Sequence, residues 1–139
     1  MNEGGRKRTV AALDPGRDKC GLAVLSEDGT VLLQKVIATD CLEAELKEML
    51  SLHAPECLLL GNGTTSKAAE SRIRSACPKL EVSVVEEHHT TEMARKEYWK
   101  ANPPKGWRSL LPTTLQVPPV PVDDFVAVIL ARRYFGRKD

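Results

Sequence analysis

The sequence predicts an α/β fold: a mixed five-stranded sheet, antiparallel meander first and parallel strands after, with helices on its faces. Three observations predict it. Three short apolar runs come first, and an Asp-Gly pair separates the second from the third. Two further apolar runs then alternate with segments of helical spacing, and one more helical segment follows a proline-rich stretch. A meander followed by βαβα units implies strands of mixed direction under a helical cover.

Thr9 to Leu13 is short, apolar and bounded by charge and by Pro15-Gly16, which reads as a buried strand. Gly21 to Leu25 reads as the second strand, and Ser26 to Thr30 (SEDGT) as the hairpin turn into the third, Val31 to Ile37. A helix starts at Asp40. Asp40 and Glu43 have the spacing of a capping box, Leu42, Leu46, Met49 and Leu50 share a face, and Pro55 stops the segment. Cys57 to Gly61 is apolar on both faces, as an inner parallel strand is. A loop and a helix ending at Pro78 follow, then a fifth strand over Glu81 to Glu86 and a helix capped by Thr90 or Thr91. Residues 102 to 121 are proline-rich and irregular, a length of loop often tied to function. Asp123 to Phe135 reads as an amphipathic helix that opens on two acids.

The 139 residues suffice for one domain, 1–139, with a single core. No apolar run approaches the roughly 20 residues of a membrane span, and the basic N-terminus lacks an apolar region behind it. The expectation is a cytoplasmic protein with no membrane partner. Cys20, Cys41, Cys57 and Cys77 are scattered without metal-site spacing and read as small apolar residues. A net charge of +1 lacks the global footprint of a tight, sequence-independent nucleic-acid binder. Basic clusters do occur at Gly5–Arg8 and Ala131–Lys138. Arg132, Arg133, Arg137 and Lys138 suit either a phosphate backbone or a solvated helix end.

Acids stand at element ends in three distant segments: Asp14 after the first strand, Glu86 and Glu87 after the fifth, Asp123 and Asp124 at the last helix. Each has a plain reading, as turn former, strand end or N-cap. Brought together they would form a site for hard cations, since Mg²⁺ and Mn²⁺ take oxygen ligands and activate water for phosphoryl transfer. His88 and His89 read either as a proton shuttle or phosphate contact, or as two surface histidines. Gly61, Asn62, Gly63, Thr64 and Thr65 precede a helix N-terminus and read either as a phosphate loop or as an ordinary capped loop. The Gly-Lys-Ser/Thr ending of a P-loop is missing. Trp99 and Trp107 flank the proline-rich loop and read as its packing anchors rather than as base-stacking platforms.

LDPGRDKCGLAV (Leu13 to Val24) resembles the first motif of the RuvC-type Holliday-junction resolvases and of the YqgF (RuvX) family, nucleases of RNase H-like fold. Asp14, Gly16, Gly21, Ala23 and Val24 carry the resemblance. EEHHTT (Glu86 to Thr91) and VDDFVAVILARRYF (Val122 to Phe135) resemble two later YqgF segments, in the same order. The chain departs from the pattern at His88, where the family has arginine, at His89, and in the loop GNGTTS. The resemblance implies an RNase H-like fold and a nuclease with Mg²⁺ or Mn²⁺ held by Asp14, Glu87 and Asp123, with Glu86 and Asp124 as adjacent alternates. The implied substrate is nucleic acid, either precursor small-subunit ribosomal RNA or branched DNA, and a homodimer is compatible with it. The substrate contacts expected with this reading are Gly16, Gly61, Asn62, Thr64, His88, Thr90 and Arg132. The competing reading is a catalytically weak or inactive nucleic-acid-binding module of the same fold. A phosphotransferase of the sugar-kinase type needs two such domains around a nucleotide, and this chain is read as one.

Overall fold

A computed structural model describes residues 7–87, 90–103 and 122–136. Five strands, β1 (Thr9–Asp14), β2 (Lys19–Ser26), β3 (Val31–Ala38), β4 (Leu58–Gly61) and β5 (Val82–Val85), form one sheet in the order β3-β2-β1-β4-β5. β1, β2 and β3 are an antiparallel meander, and β4 and β5 extend the sheet parallel to β1. Among the described residues four helices cover it: α1 (Leu42–His53), α2 (Ser66–Ala76), α3 (Thr90–Ala101) and α4 (Asp123–Tyr134).

Strand alternation sorts the core into two layers. Ala11 and Leu13 of β1, Leu22 and Val24 of β2 and Leu58 and Leu60 of β4 meet Leu42, Leu46 and Met49 of α1 and Ala69 and Ile73 of α2. Their neighbours Val10, Ala12, Ala23, Leu25, Cys57 and Leu59 face the other way, onto Ala94 of α3 and the length of α4. β4 is buried at all four residues, as its unbroken apolar run requires.

The hairpin turn follows from Asp28-Gly29. Gly29 takes a φ of 92°, and Asp28 Oδ1 accepts hydrogen bonds from the Thr30 N–H and the Ser26 hydroxyl. The strands outrun their apolar runs: β1 reaches Asp14 and β2 begins at Lys19, because Asp14 pairs with Gly21 and Lys19 with Ala38. β5 is shorter than expected, since its partner strand ends where Gly61 pairs with Val85.

Four local expectations are corrected. Asp40 does not cap α1. It sits in a 3-10 turn, Thr39–Cys41, and Cys41 precedes the helix without a side-chain cap bond. Glu43, the other half of the expected capping box, instead pairs with Arg72 of α2 at 2.6 and 2.7 Å, and that charge-assisted tertiary pair displaces the local cap. Thr90 is the first residue inside α3 rather than its cap. Its buried hydroxyl donates to the Glu87 carbonyl at 2.7 Å. α4 is not amphipathic through its middle, because Val126 to Ala131 are six consecutive buried residues. The sheet covers one side of the helix and α3 flanks it. Cys20, Cys57 and Cys77 are buried as expected, whereas Cys41 is exposed.

Candidate active site: a carboxylate edge

The alternation that builds the core also places the acids. Val10 and Ala12 face α4, so Asp14, two residues on, lies on the same face at the end of β1. Its neighbours across the sheet are glycines. Gly21 of β2 pairs with it directly, and the register that joins Leu13 to Leu60 sets Gly61 of β4 beside it.

Both glycines make room for another acid. A Cβ at Gly21 would stand 1.9 Å from the Asp123 carbonyl oxygen, so only glycine lets the first turn of α4 come down on the sheet. A Cβ at Gly61 would stand 1.9 Å from Glu87 Oε1, and one at Gly63 3.2 Å from Glu87 Oε2. Asp14 thus has an empty position on either side, one filled by the start of α4 and the other by the Glu87 carboxylate. Gly16 permits the tight return from β1 to β2, where an added Cβ would meet the Lys19 carbonyl at 2.2 Å. The Gly16 carbonyl accepts the Thr39 hydroxyl at 2.9 Å. The close approach of α4 is what Gly21 provides.

Glu87 is held from two sides. Its N–H donates to Asn62 Oδ1 at 3.1 Å, and its carbonyl accepts from both the N–H and the hydroxyl of Thr90. Asp123 is the first residue of α4, after Val122, and makes no capping bond. The N-cap reading of the two acids is thereby corrected. Asp124 turns toward β3, where its Oδ2 accepts from Gln34 Nε2 at 3.1 Å, and this ties the start of α4 to the edge strand.

Asp14, Glu87 and Asp123 are brought near enough for Glu87 and Asp123 each to act on the Asp14 carboxyl. Burial, then the hydrogen bond and negative charge of Glu87, then the charge of Asp123, push the Asp14 carboxyl up to about 9. Asp123 is also raised, by burial first, while the Asp14 hydrogen bond and the charge of Lys19 pull the other way. One oxygen of the cluster, Glu87 Oε1, is buried without a hydrogen-bond partner.

Among the described residues no group of three or more His, Cys, Asp or Glu side chains already stands in metal-binding geometry. In donor chemistry the three carboxylates do suit a hard divalent cation, which would satisfy the orphaned Glu87 oxygen.

The remaining expected residues divide. Glu86 is exposed and does not enter the cluster. Asn62 and Thr90 serve the backbone of Glu87, and Thr64 is exposed at the start of the α2 turn. Arg132 does not reach the site. It lies nine residues along α4 from Asp123, about 13 Å of helix rise, and pairs with Glu97 of α3 at 3.2 Å. His88, His89, Trp107, Arg137, Lys138 and residues 104–121 of the proline-rich loop lie outside the described residues. The positioning pair Asn62–Glu87 and the anchor Gln34–Asp124 escaped the sequence reading. Gln34 had a signal, as the polar interruption of an apolar strand.

A meander extended by two parallel strands, with helices on both faces and a terminal helix over the central strand, is the RNase H-like fold. The chain is similar in structure to RuvC of Thermus thermophilus, with a TM-score of 0.53 and 16% identity over 93% of this chain and 95% of that one. It is likewise similar to the same organism's RuvC in complex with a Holliday junction substrate, with a TM-score of 0.58 and 17% identity over 93% and 94% of the two chains. No protein-family model matches the chain, and no curated protein matches it in sequence. Among the described residues no helix is long and apolar enough to cross a membrane.

Proposed function

We propose that this chain is a metal-dependent nuclease that hydrolyses phosphodiester bonds in structured nucleic acid. The observation that carries the reading is the crowding of Asp14, Glu87 and Asp123 at one sheet edge, where burial first and the two neighbouring acids second raise the Asp14 carboxyl. Such crowding is costly to a fold and is the arrangement a cation relieves. Mg²⁺ or Mn²⁺ bound there supplies an activated water and neutralises charge on the departing oxygen.

The chain's own residues set the conditions for that chemistry. Asp14 would hold such a cation in its deprotonated form. Glu87 is held at its backbone by Asn62 and Thr90, so its carboxylate keeps its place beside Gly61. Asp123 is delivered by α4, whose start is fastened to β3 through Asp124. The likeness to a RuvC bound to a Holliday junction supports branched DNA as the first substrate to try. The YqgF-like motifs support precursor small-subunit ribosomal RNA as the second.

One observation favours a non-catalytic binding module instead: the absence, among the described residues, of a preformed metal grouping. Incubation with Mn²⁺ and a labelled four-way DNA junction, or a labelled ribosomal precursor RNA, separates the two. Cleavage by the wild type that disappears in Asp14→Asn is the expected result. No cleavage of either substrate, or equal cleavage by Asp14→Asn, overturns the nuclease reading.

A further inference from the structure

We propose that Lys19 is a phosphate-binding residue of this edge, holding the substrate backbone on the β2 side of Asp14 and Asp123; the proposal rests on the reading of the edge as a nucleic-acid site. An edge built from three carboxylates repels a polyanion unless cations flank it. Among the described residues, the segments at that edge carry Arg17, Lys19 and Lys67, all exposed. Lys19 is singled out by where the strand fixes it.

Arg17 lies in the turn between β1 and β2, whereas Lys19 is paired in the sheet opposite Ala38. Ala23 and Leu25 of β2 face α4, and so therefore do Gly21 and Lys19 at the same two-residue spacing. Gly21 is the residue over which the Asp123 carbonyl sits. Lys19 is the next position outward on that face, beside the first turn of α4, with its side chain exposed. Its positive charge already acts on the Asp123 carboxyl, opposing the upward push of burial. A lysine there is a mobile point charge on a long stem, suited to a phosphate next to the scissile one.

The backbone would then cross the edge with one side held at Lys19. Toward β5, Lys67 rides on α2 against the other face of the sheet, and the residues that follow β5 are Glu86 and Glu87. The site is thus electrostatically lopsided, and Lys19 supplies the attraction on its open side.

The test is fluorescence anisotropy of a labelled four-way junction and of a labelled single-stranded RNA, with Ca²⁺ present and salt varied. Wild type, Lys19→Gln, Lys19→Arg and the distant control Lys79→Gln are compared, and cleavage in Mn²⁺ is followed in parallel. Lys79 follows α2 at the opposite end of the sheet. Lys19→Gln is expected to weaken binding several-fold and to flatten the slope of log affinity against log salt by about 0.7–0.9, one phosphate contact. Lys19→Arg should keep both quantities, and the cleavage defect of Lys19→Gln should fall mainly on KM. A wild-type slope and KM in Lys19→Gln, or an equal loss in Lys79→Gln, overturns the Lys19 assignment and leaves the nuclease reading standing. Binding without cleavage, with the slope change present, supports the assignment and overturns the nuclease reading. A wild type that neither binds nor cleaves overturns both.

Discussion

Among the described residues the two faces of the sheet are covered by two helices each, yet they are built differently. Toward α1 and α2 the inner strands present mainly large side chains, Leu13, Leu22, Leu58 and Leu60, which meet Leu42, Leu46, Met49 and Ile73. An Arg72–Glu43 pair, with Arg72 also donating to the Thr39 carbonyl at 2.9 Å, fastens the two helices near the same edge as the acids. Toward α4 the strands present Ala12, Ala23, Gly21 and Gly61 near that edge. Small residues let a helix approach the backbone closely, and here they bring Asp123 and Glu87 down beside Asp14. One face is filled with apolar volume; the other gives volume up so that carboxylates can meet. The first supplies stability and the second the candidate site.

The comparison can be broken at several points. The largest expected effect is on cleavage: Asp14→Asn should lower the rate at least about a thousandfold, the loss of several kcal/mol of metal-assisted catalysis. Circular dichroism should show the fold intact. On the opposite face, Ile73→Ala should cost about 2–5 kcal/mol of stability in denaturant titration while the folded fraction keeps its cleavage activity, because it empties the core without touching the acids.

Gly21→Ala should do both things to a smaller degree. Its Cβ meets a backbone carbonyl that cannot swing aside, so stability should fall by about 1–3 kcal/mol and cleavage with it. If Gly21→Ala were as stable and active as wild type, the close approach of α4 would not be what that glycine is for.

The pH dependence distinguishes the faces without changing their packing. In the fold Asp14 holds its proton up to about pH 9, whereas in the unfolded chain it releases it near 3.8. The folded state thus binds more protons between these values, and the stability of the metal-free protein should decline as pH rises through that window. Asp14→Asn should flatten the decline, and Mn²⁺ should raise the melting temperature more at pH 8 than at pH 5. Asn62→Ala should have the smallest effect, about 0.5–1.5 kcal/mol for one lost hydrogen bond, with a modest fall in cleavage as Glu87 loosens.

Much of the frame was legible beforehand, because apolar runs and helical spacing report on burial directly. The meander, the inner strand Cys57 to Gly61 and the acid-headed last helix all follow from local pattern. The helix start at Asp40 did not, since a capping box is a local preference and Arg72, far along the chain, claims Glu43. Nor did the buried middle of α4, because a helix covered on two sides loses the polar stripe by which periodicity is read. Arg132 looked available in the sequence, but its partner Glu97 lies 35 positions earlier on another helix. The choice of Glu87 over Glu86 hangs on the parity of β5 and on the space left by Gly61, neither of which a run of two acids reveals.

By itself, the sequence determined which segments become strands and helices and that five acids stand at their ends, because these depend on residue type and spacing within a few positions. Only the tertiary structure decided that three of those acids meet. Asp14, Glu87 and Asp123 are separated by 73 and 36 positions. What joins them is a parallel register and two missing side chains, at Gly21 and Gly61, into whose space a helix and a carboxylate descend. Burial and proximity of that kind are properties of packing, and in that order they raise the carboxyl at the end of the first strand.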